Sequence, residues 1–113
     1  MKVDVRFRGL ESSDALRTYV MERIQFALGK FARHVGSAQI RIGDVNGPRG
    51  GLDKRCQVIV KGRGFGSSMV EEIHADPYAV VDLALGRAAR AISRGLDRIH
   101  HYRSRAARRL ARL

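Results

Sequence analysis

The last quarter of the chain concentrates side chains that can bind phosphate. Residues 87–113 contain nine arginines and a single acid, Asp97, which gives this segment a net charge of +8. The other residues carry thirteen basic and ten acidic side chains, so most of the excess in the overall charge of +11 lies in this segment. Because one guanidinium group can hold two oxygen atoms of a phosphate, such a segment attracts polyanions.

Most basic side chains of this segment fall on one side of a predicted helix. At ~100° per residue, six of the basic positions between 87 and 105 lie within a sector of about 80°. These residues, named here the basic stripe, are Arg87, Arg90, Arg94, Arg98, His101 and Arg105. Exposed helices usually pair basic residues with acids three or four positions away, whereas this stripe has a single acid at such a spacing, Asp97. The pattern therefore favours a polyanion-binding surface over a merely solvated face.

Side chains that could support catalysis or hold a metal are few. His100 and His101 are adjacent and would face different ways on a helix, which is not the spacing of a metal site. Cys56 is alone in a strand-like run, where a free cysteine is usually a small buried hydrophobe. The run Gly62–Gly66 lacks the Lys and Ser/Thr of a phosphate-binding loop. We therefore predict no catalytic residue, no metal site, no cofactor and no small-molecule substrate.

The first half of the chain predicts a strand followed by a helix. Val3, Val5 and Phe7 alternate with polar residues, which predicts a strand over residues 2–8. Ser12 then fits the N-cap of an amphipathic helix that ends near residues 29–33. The apolar residues of this helix recur at spacings of three and four, at Leu16, Val20, Ile24, Ala27 and Phe31.

The remaining elements are three strands and a long helix. Alternation predicts strands around residues 38–42 and 56–60, whereas the inward face of a fourth strand around 68–74 is ambiguous. Asp76 and Pro77 fit the N-cap and first position of a helix without later prolines. Its apolar seam comprises Tyr78, Val81, Leu85, Ala88, Ile92, Leu96 and Ile99. At ~1.5 Å per residue the helix would reach about 45–50 Å, so its far end must project or fray.

Length and composition predict one globular domain. The chain has 113 residues, of which 44% are apolar and 29% charged, an ordinary balance for a folded domain. We assign residues 1–102 to an α+β domain and 103–113 to a basic tail that is helical or disordered. No apolar run approaches a membrane span, and the start lacks the apolar stretch of a signal peptide, so we expect a cytoplasmic protein.

Two segments together resemble the ribosome hibernation promoting factor family, which includes ribosome-associated inhibitor A. The run from Asp76 to Asp82, followed by Arg87, Arg90 and Arg94, is similar to the start of the second helix in that family. The run from Asp14 to Val20 is similar to a recurrent Ala-Leu-x-x-Tyr-Val pattern in the first helix. The resemblance covers residues 1 to about 100, and it rests on the order and spacing of the motifs together.

The resemblance implies a β-α-β-β-β-α fold, similar to double-stranded RNA-binding domains, with two helices on one face of a four-stranded sheet. It also implies binding to the small ribosomal subunit and its ribosomal RNA, in the channel for mRNA and transfer RNA, which silences idle ribosomes in stationary phase or stress. By match, the positions expected to contact ribosomal RNA are Arg23, Lys30, Arg87, Arg90 and Arg94. Arg98, His101 and Arg105 depend on the stripe alone. We expect a monomer of the short form, without the second domain that pairs ribosomes.

Two alternatives remain open at this stage. Arg63-Gly-Phe-Gly66 matches the first half of the signature of RNA recognition motifs, although the second half fails. A basic amphipathic helix can also bind an anionic membrane surface. That use would leave the predicted sheet uncovered, so we expect no membrane partner.

Overall fold

The strands and helices follow one another in the predicted order, β-α-β-β-β-α. The computed structural model describes residues 1–10, 13–45 and 53–112. Its elements are β1 (Lys2–Arg8), α1 (Asp14–Leu28) with a 3₁₀ turn (Gly29–Phe31), β2 (Val35–Asp44), β3 (Lys54–Gly62), β4 (Ser67–His74) and α2 (Pro77–Ala111). The run from Gly43 to Gly51 is rich in turn-forming residues, which predicts a loop, and most of it lies outside the described residues.

The four strands form one mixed sheet in chain order. β1 pairs in parallel with β2, and the other two pairings are antiparallel. A parallel pair needs a crossover connection, which α1 provides between β1 and β2. One row of the core runs across all four strands through Val5, Ile40, Val58 and Val70. Both helices pack on this face, so the predicted α+β architecture is confirmed.

The first helix begins one residue later than predicted. The hydroxyl of Ser13 accepts a hydrogen bond from the backbone N–H of Leu16 at 3.0 Å, so the N-cap is Ser13. The predicted cap, Ser12, lies outside the described residues. The shift follows from the start of the helix at Asp14, which leaves the amide of Leu16 without a partner inside the helix. Leu16, Val20 and Ile24 are buried, as their spacing predicted.

The second helix begins at the predicted cap and continues almost to the end of the chain. The Asp76 carboxylate accepts a hydrogen bond from the N–H of Tyr78 at 2.9 Å, and Pro77 follows at the first helical position. The helix is 35 residues long. The domain measures 65 × 23 × 16 Å along its principal axes, so the far end of α2 projects. Residues 103–111, predicted as a helical or disordered tail, continue this helix.

The buried seam of α2 is rotated relative to the predicted one. Val80 and Ala84 are buried, whereas Tyr78 is 37% exposed. The sequence pattern included Tyr78 because its spacing is correct, but this ring lies at the border with α1. It packs edge-on against the ring of Tyr19, with 5.0 Å between the centroids.

The turn between β3 and β4 packs against α2. Gly64 and Gly66 have positive φ angles, which allow the tight turn. The Phe65 ring folds back over Gly62, where an added Cβ would clash with it, and it lies 3.5 Å from the place of a Cβ on Gly95. A glycine inside a helix costs about 1 kcal/mol relative to alanine, but Gly95 is buried and its missing side chain lets Phe65 approach.

Candidate nucleic-acid interface

The basic stripe lies on the solvent side of α2. All six of its side chains are exposed, from Arg87 to Arg105. The opposite flank of the helix, which includes Ala88 and Ile92, is buried against the sheet and α1. Packing of the apolar seam therefore fixes the direction in which the stripe faces.

Arg87 also fastens the helix to the sheet. Its Nη1 donates to the backbone carbonyl of Glu71 and to the carboxylate of Glu72, both at 3.0 Å. The Glu72 pair neutralises part of the positive charge. Arg87 therefore has a structural contact that its spacing did not predict, and a change at this position would disturb the contact between α2 and β4.

The other arginines of the stripe have no counter-charge within the described part of the chain. No carboxylate of that part lies within ion-pair distance of Arg90, Arg94, Arg98 or Arg105. Neighbouring cations on one helix face repel each other by a few tenths of a kcal/mol per pair. A bound polyanion would remove this repulsion. A helix face that only contacted solvent could avoid it by mixing acidic and basic side chains.

Arg23, on α1, is held at the contact between the two helices. Its Nε lies 2.9 Å from Oδ1 of Asp82 on α2, an ion pair without a well-aligned hydrogen bond. The hydroxyl of Tyr19 donates to the other oxygen of Asp82 at 2.7 Å. That hydrogen bond, with burial and the negative charge of Asp82, raises the pKa of Tyr19. Arg23 is thus half-buried and already paired, whereas the predicted RNA contact would require an available guanidinium.

Lys30 follows α1 in the 3₁₀ turn and is exposed. Its ammonium lies 5.2 Å from the centroid of the Phe31 ring, an arrangement that leaves the charge accessible to solvent.

Two exposed aromatic side chains lie among these basic residues. Phe26 is 76% exposed, and the guanidinium carbon of Arg23 lies 4.6 Å from its ring centroid. Tyr102 is 74% exposed and lies between Arg98 and Arg105 on α2. Exposed aromatic rings beside basic groups are typical surfaces for base stacking. The spacing of the sequence did not predict either residue, although Phe26 is out of phase with the buried positions of α1.

The geometry offers little for catalysis. His34, Asp97 and His100 line a cleft of about 300 Å³ with Arg63 and Arg103, but no serine, threonine or cysteine lines it. His74 accepts a hydrogen bond from the amide of Asp76. Burial raises the pKa of the Cys56 thiol to about 12, so its nucleophilic thiolate is disfavoured. No group of three or more potential metal ligands occurs among the described residues.

The structure also bears on the two alternatives. Phe65 packs on Gly62 and Gly95, so it is partly buried where an RNA recognition motif would present it to a base. The apolar face of α2 is occupied by the sheet and α1, so it is not available to lipid. In the part of the chain that the structure describes, no helix is long and apolar enough to cross a membrane.

Comparison with known proteins decides the family. The model of the family described as Sigma 54 modulation protein / S30EA ribosomal protein matches residues 3–100. The chain belongs to this family. Its members are ribosome-associated modulation factors, not a known family of enzymes, and the predicted resemblance to hibernation promoting factors is confirmed. No curated protein matches the chain at a significant level.

Solved structures support the same assignment. The N-terminal domain of protein Y from Thermus thermophilus is 26% identical, with a TM-score of 0.66, and the match covers 83% of this chain and 98% of that one. A ribosomal subunit interface protein from Coxiella burnetii has the same fold, with a TM-score of 0.67 at 20% identity. That match covers 83% of this chain and 96% of the other.

Proposed function

We propose that this protein binds the small ribosomal subunit through the basic stripe and occludes the channel for mRNA and transfer RNA. The observation that carries the proposal is the set of exposed arginines at 90, 94, 98 and 105 on one face of α2, which have no ion-pair partner among the residues that the structure describes. Membership of a ribosome-associated family supports a ribosomal partner, and the charge of the stripe supports ribosomal RNA as the surface contacted. Cytoplasmic location and a role in stationary phase or stress belong to the same proposal.

The structure favours some of the predicted contacts over others. Arg90, Arg94, Arg98, His101 and Arg105 are exposed and free of acidic partners among the described residues, so they form the docking surface that we propose. Lys30 extends this set in the 3₁₀ turn that follows α1. Arg87 and Arg23 contribute charge at its border, because each is already held by a carboxylate of the protein.

Co-sedimentation with purified small subunits tests the proposal. We expect Arg94→Gln with Arg98→Gln to lower the affinity about tenfold or more, because two phosphate contacts are lost. The matched control is Lys2→Gln with Lys61→Gln, which removes the same charge from exposed positions far from the stripe and should change the affinity less than about twofold. Equal losses of affinity in both variants would show that the total charge of the protein, and not the position of the stripe, determines binding.

Occlusion needs a second measurement. Subunits already filled with mRNA and transfer RNA should bind the wild-type protein much less than empty subunits, because both would occupy one channel. Equal binding to filled and empty subunits would contradict occlusion while leaving subunit binding intact.

A further inference from the structure

The face of the sheet opposite the helices carries a second group of arginines. Side chains alternate across a strand, so the even-numbered residues of β1 point away from the core. In the observed register, four arginines converge at one end of this open face: Arg6, Arg8, Arg41 and Arg55. All four are exposed. We call them the sheet cluster.

The sheet cluster places like charges close together, which lowers the stability of the sheet. Arg6 and Arg41 are register partners on neighbouring strands, which are about 4.8 Å apart, and like charges in such positions destabilise a sheet. Arg6 pairs with Asp4 at 2.9 Å and Arg55 approaches Glu71 at 3.8 Å, but these pairs are exposed and contribute little. Arg8 and Arg41 have no acidic partner in the described part of the chain. The fold by itself gives no reason for this arrangement.

The surface between these arginines is a depression. Gly43 is the register partner of both Arg8 and Arg55, and a Cβ at Gly43 would lie 2.9 Å from the carbonyl oxygen of Arg8. No side chain therefore fills the floor. The resulting cleft has a volume of about 750 Å³ and is lined by all four arginines of the sheet cluster. Its open floor lets a chain of charged groups approach the guanidinium groups closely.

The sheet cluster cannot serve the same RNA segment as the stripe. The two surfaces lie on opposite sides of the sheet, and the domain is 23 and 16 Å across in its shorter directions. Beyond Arg87 the stripe also moves away from the sheet cluster along the long axis, because α2 runs back along β4. Arg87 contacts β4 near its end at Glu72, whereas Gly95 lies beside Phe65 before β4 begins. A ligand of the sheet cluster is therefore a separate segment.

We propose that the sheet cluster binds the phosphate backbone of a second RNA segment, so that the domain lies between two segments of RNA. Guanidinium groups suit phosphate because each can hold two oxygens, and at Arg6 and Arg55 a phosphate would compete only with exposed, weak ion pairs to Asp4 and Glu71. The inference deepens the proposed function and rests on it, since the first segment is the RNA bound by the stripe.

The test is a bridging experiment with RNA duplexes of about 20 base pairs. One duplex is fixed to beads, protein is loaded and washed, and a fluorescent second duplex is added. The wild-type protein should capture the second duplex, whereas Arg8→Gln with Arg41→Gln should bind the first and capture about fivefold less of the second. Lys2→Gln with Lys61→Gln is the matched control on the same open face and should capture as the wild type does.

Thermal unfolding of the same variants separates a binding role from a structural one. Removing like charges from neighbouring strands should leave Arg8→Gln with Arg41→Gln at least as stable as the wild type. A loss of stability that parallels the loss of capture would assign the cluster to folding and overturn the proposal.

The remaining outcomes are distinguishable. If the wild type binds the bead duplex but captures no second duplex, or if all variants capture equally, the inference fails and the proposed function stands. If the wild type binds no RNA at all, both fail. If the Arg8 and Arg41 variant bridges RNA normally but binds intact small subunits more weakly, the sheet cluster contacts an acidic protein segment and the RNA assignment is wrong.

Discussion

At the scale of single residues, the contact between the helices depends on one carboxylate. Asp82 receives a hydrogen bond from the Tyr19 hydroxyl and an ion pair from Arg23. It lies one turn before the first arginine of the stripe, so it helps set the angle of α2 against α1. Its partners are only partly buried, so we expect a modest contribution to stability.

Replacing Tyr19 with phenylalanine should lower stability in a way that depends on pH. The ring contact with Tyr78 is kept, whereas the hydrogen bond to Asp82 is lost, at a cost of about 1 kcal/mol. The pKa of Tyr19 is raised in the folded state, so this stabilisation is complete below the ordinary tyrosine value of 10.0 and decreases as the pH rises through the folded value.

Urea unfolding at several pH values between 7 and 11 measures this effect. The difference in unfolding free energy between the wild type and Tyr19→Phe should narrow above about pH 10. Tyr102→Phe is the matched control, because Tyr102 is 74% exposed, and it should change little at any pH. A constant difference for Tyr19→Phe across the whole range would contradict the assignment.

At the scale of elements, the turn before β4 and the middle of α2 are built on glycines with different roles. Gly62 lies under the Phe65 ring, whereas a Cβ on Gly86 would meet only the flexible end of Arg90 at 3.5 Å. Helix propensity by itself marks Gly86 as a weak point of α2. Only the packing shows that a glycine is required at position 62.

Alanine at these two glycines should have opposite effects. Gly62→Ala should lower the unfolding free energy by about 1–3 kcal/mol, because Phe65 must leave its place against α2. Gly86→Ala should raise it by about 0.5–1 kcal/mol through helix propensity. Both changes reduce the freedom of the unfolded chain equally, so chemical denaturation of the pair isolates the packing effect. Two stabilising substitutions would show that Phe65 does not hold the turn.

At the scale of the whole molecule, the charge is arranged so that attraction to RNA acts over long distances. The chain carries a net charge of +11, and its helix extends the domain to 65 Å. A protein with this charge and length is attracted to a polyanion before any specific contact forms. Affinity for RNA should therefore respond strongly to salt.

The expected response is quantitative. If about six phosphates are neutralised, affinity should fall about a thousandfold between 50 and 200 mM salt. Arg94→Gln with Arg98→Gln should reduce the slope of log affinity against log salt by about 2. Fluorescence anisotropy with a labelled RNA duplex measures both quantities. An affinity that did not change with salt would remove the electrostatic basis of the proposed function.

Local patterns along the sequence determined much of this protein. Alternation in β1, the Asp76–Pro77 helix start and the phase of the basic stripe all depend on neighbours within a few residues, and all appear in the structure. The fourth strand was ambiguous because Met69, Val70 and Ile73 fit either face equally well. Its register against β3 places Val70 inward and leaves the other two exposed.

Contacts between distant parts of the chain were decided only by the tertiary structure. Two such contacts are the ion pair between Arg23 and Asp82 and the packing of Phe65 on Gly95. Each joins residues that are far apart in sequence, so no local periodicity could reveal it. The sheet cluster is the clearest example, since Arg41 and Arg55 belong to different strands from Arg6 and Arg8. Spacing along the chain determines which side of one element a residue occupies, whereas strand register determines which elements share a surface.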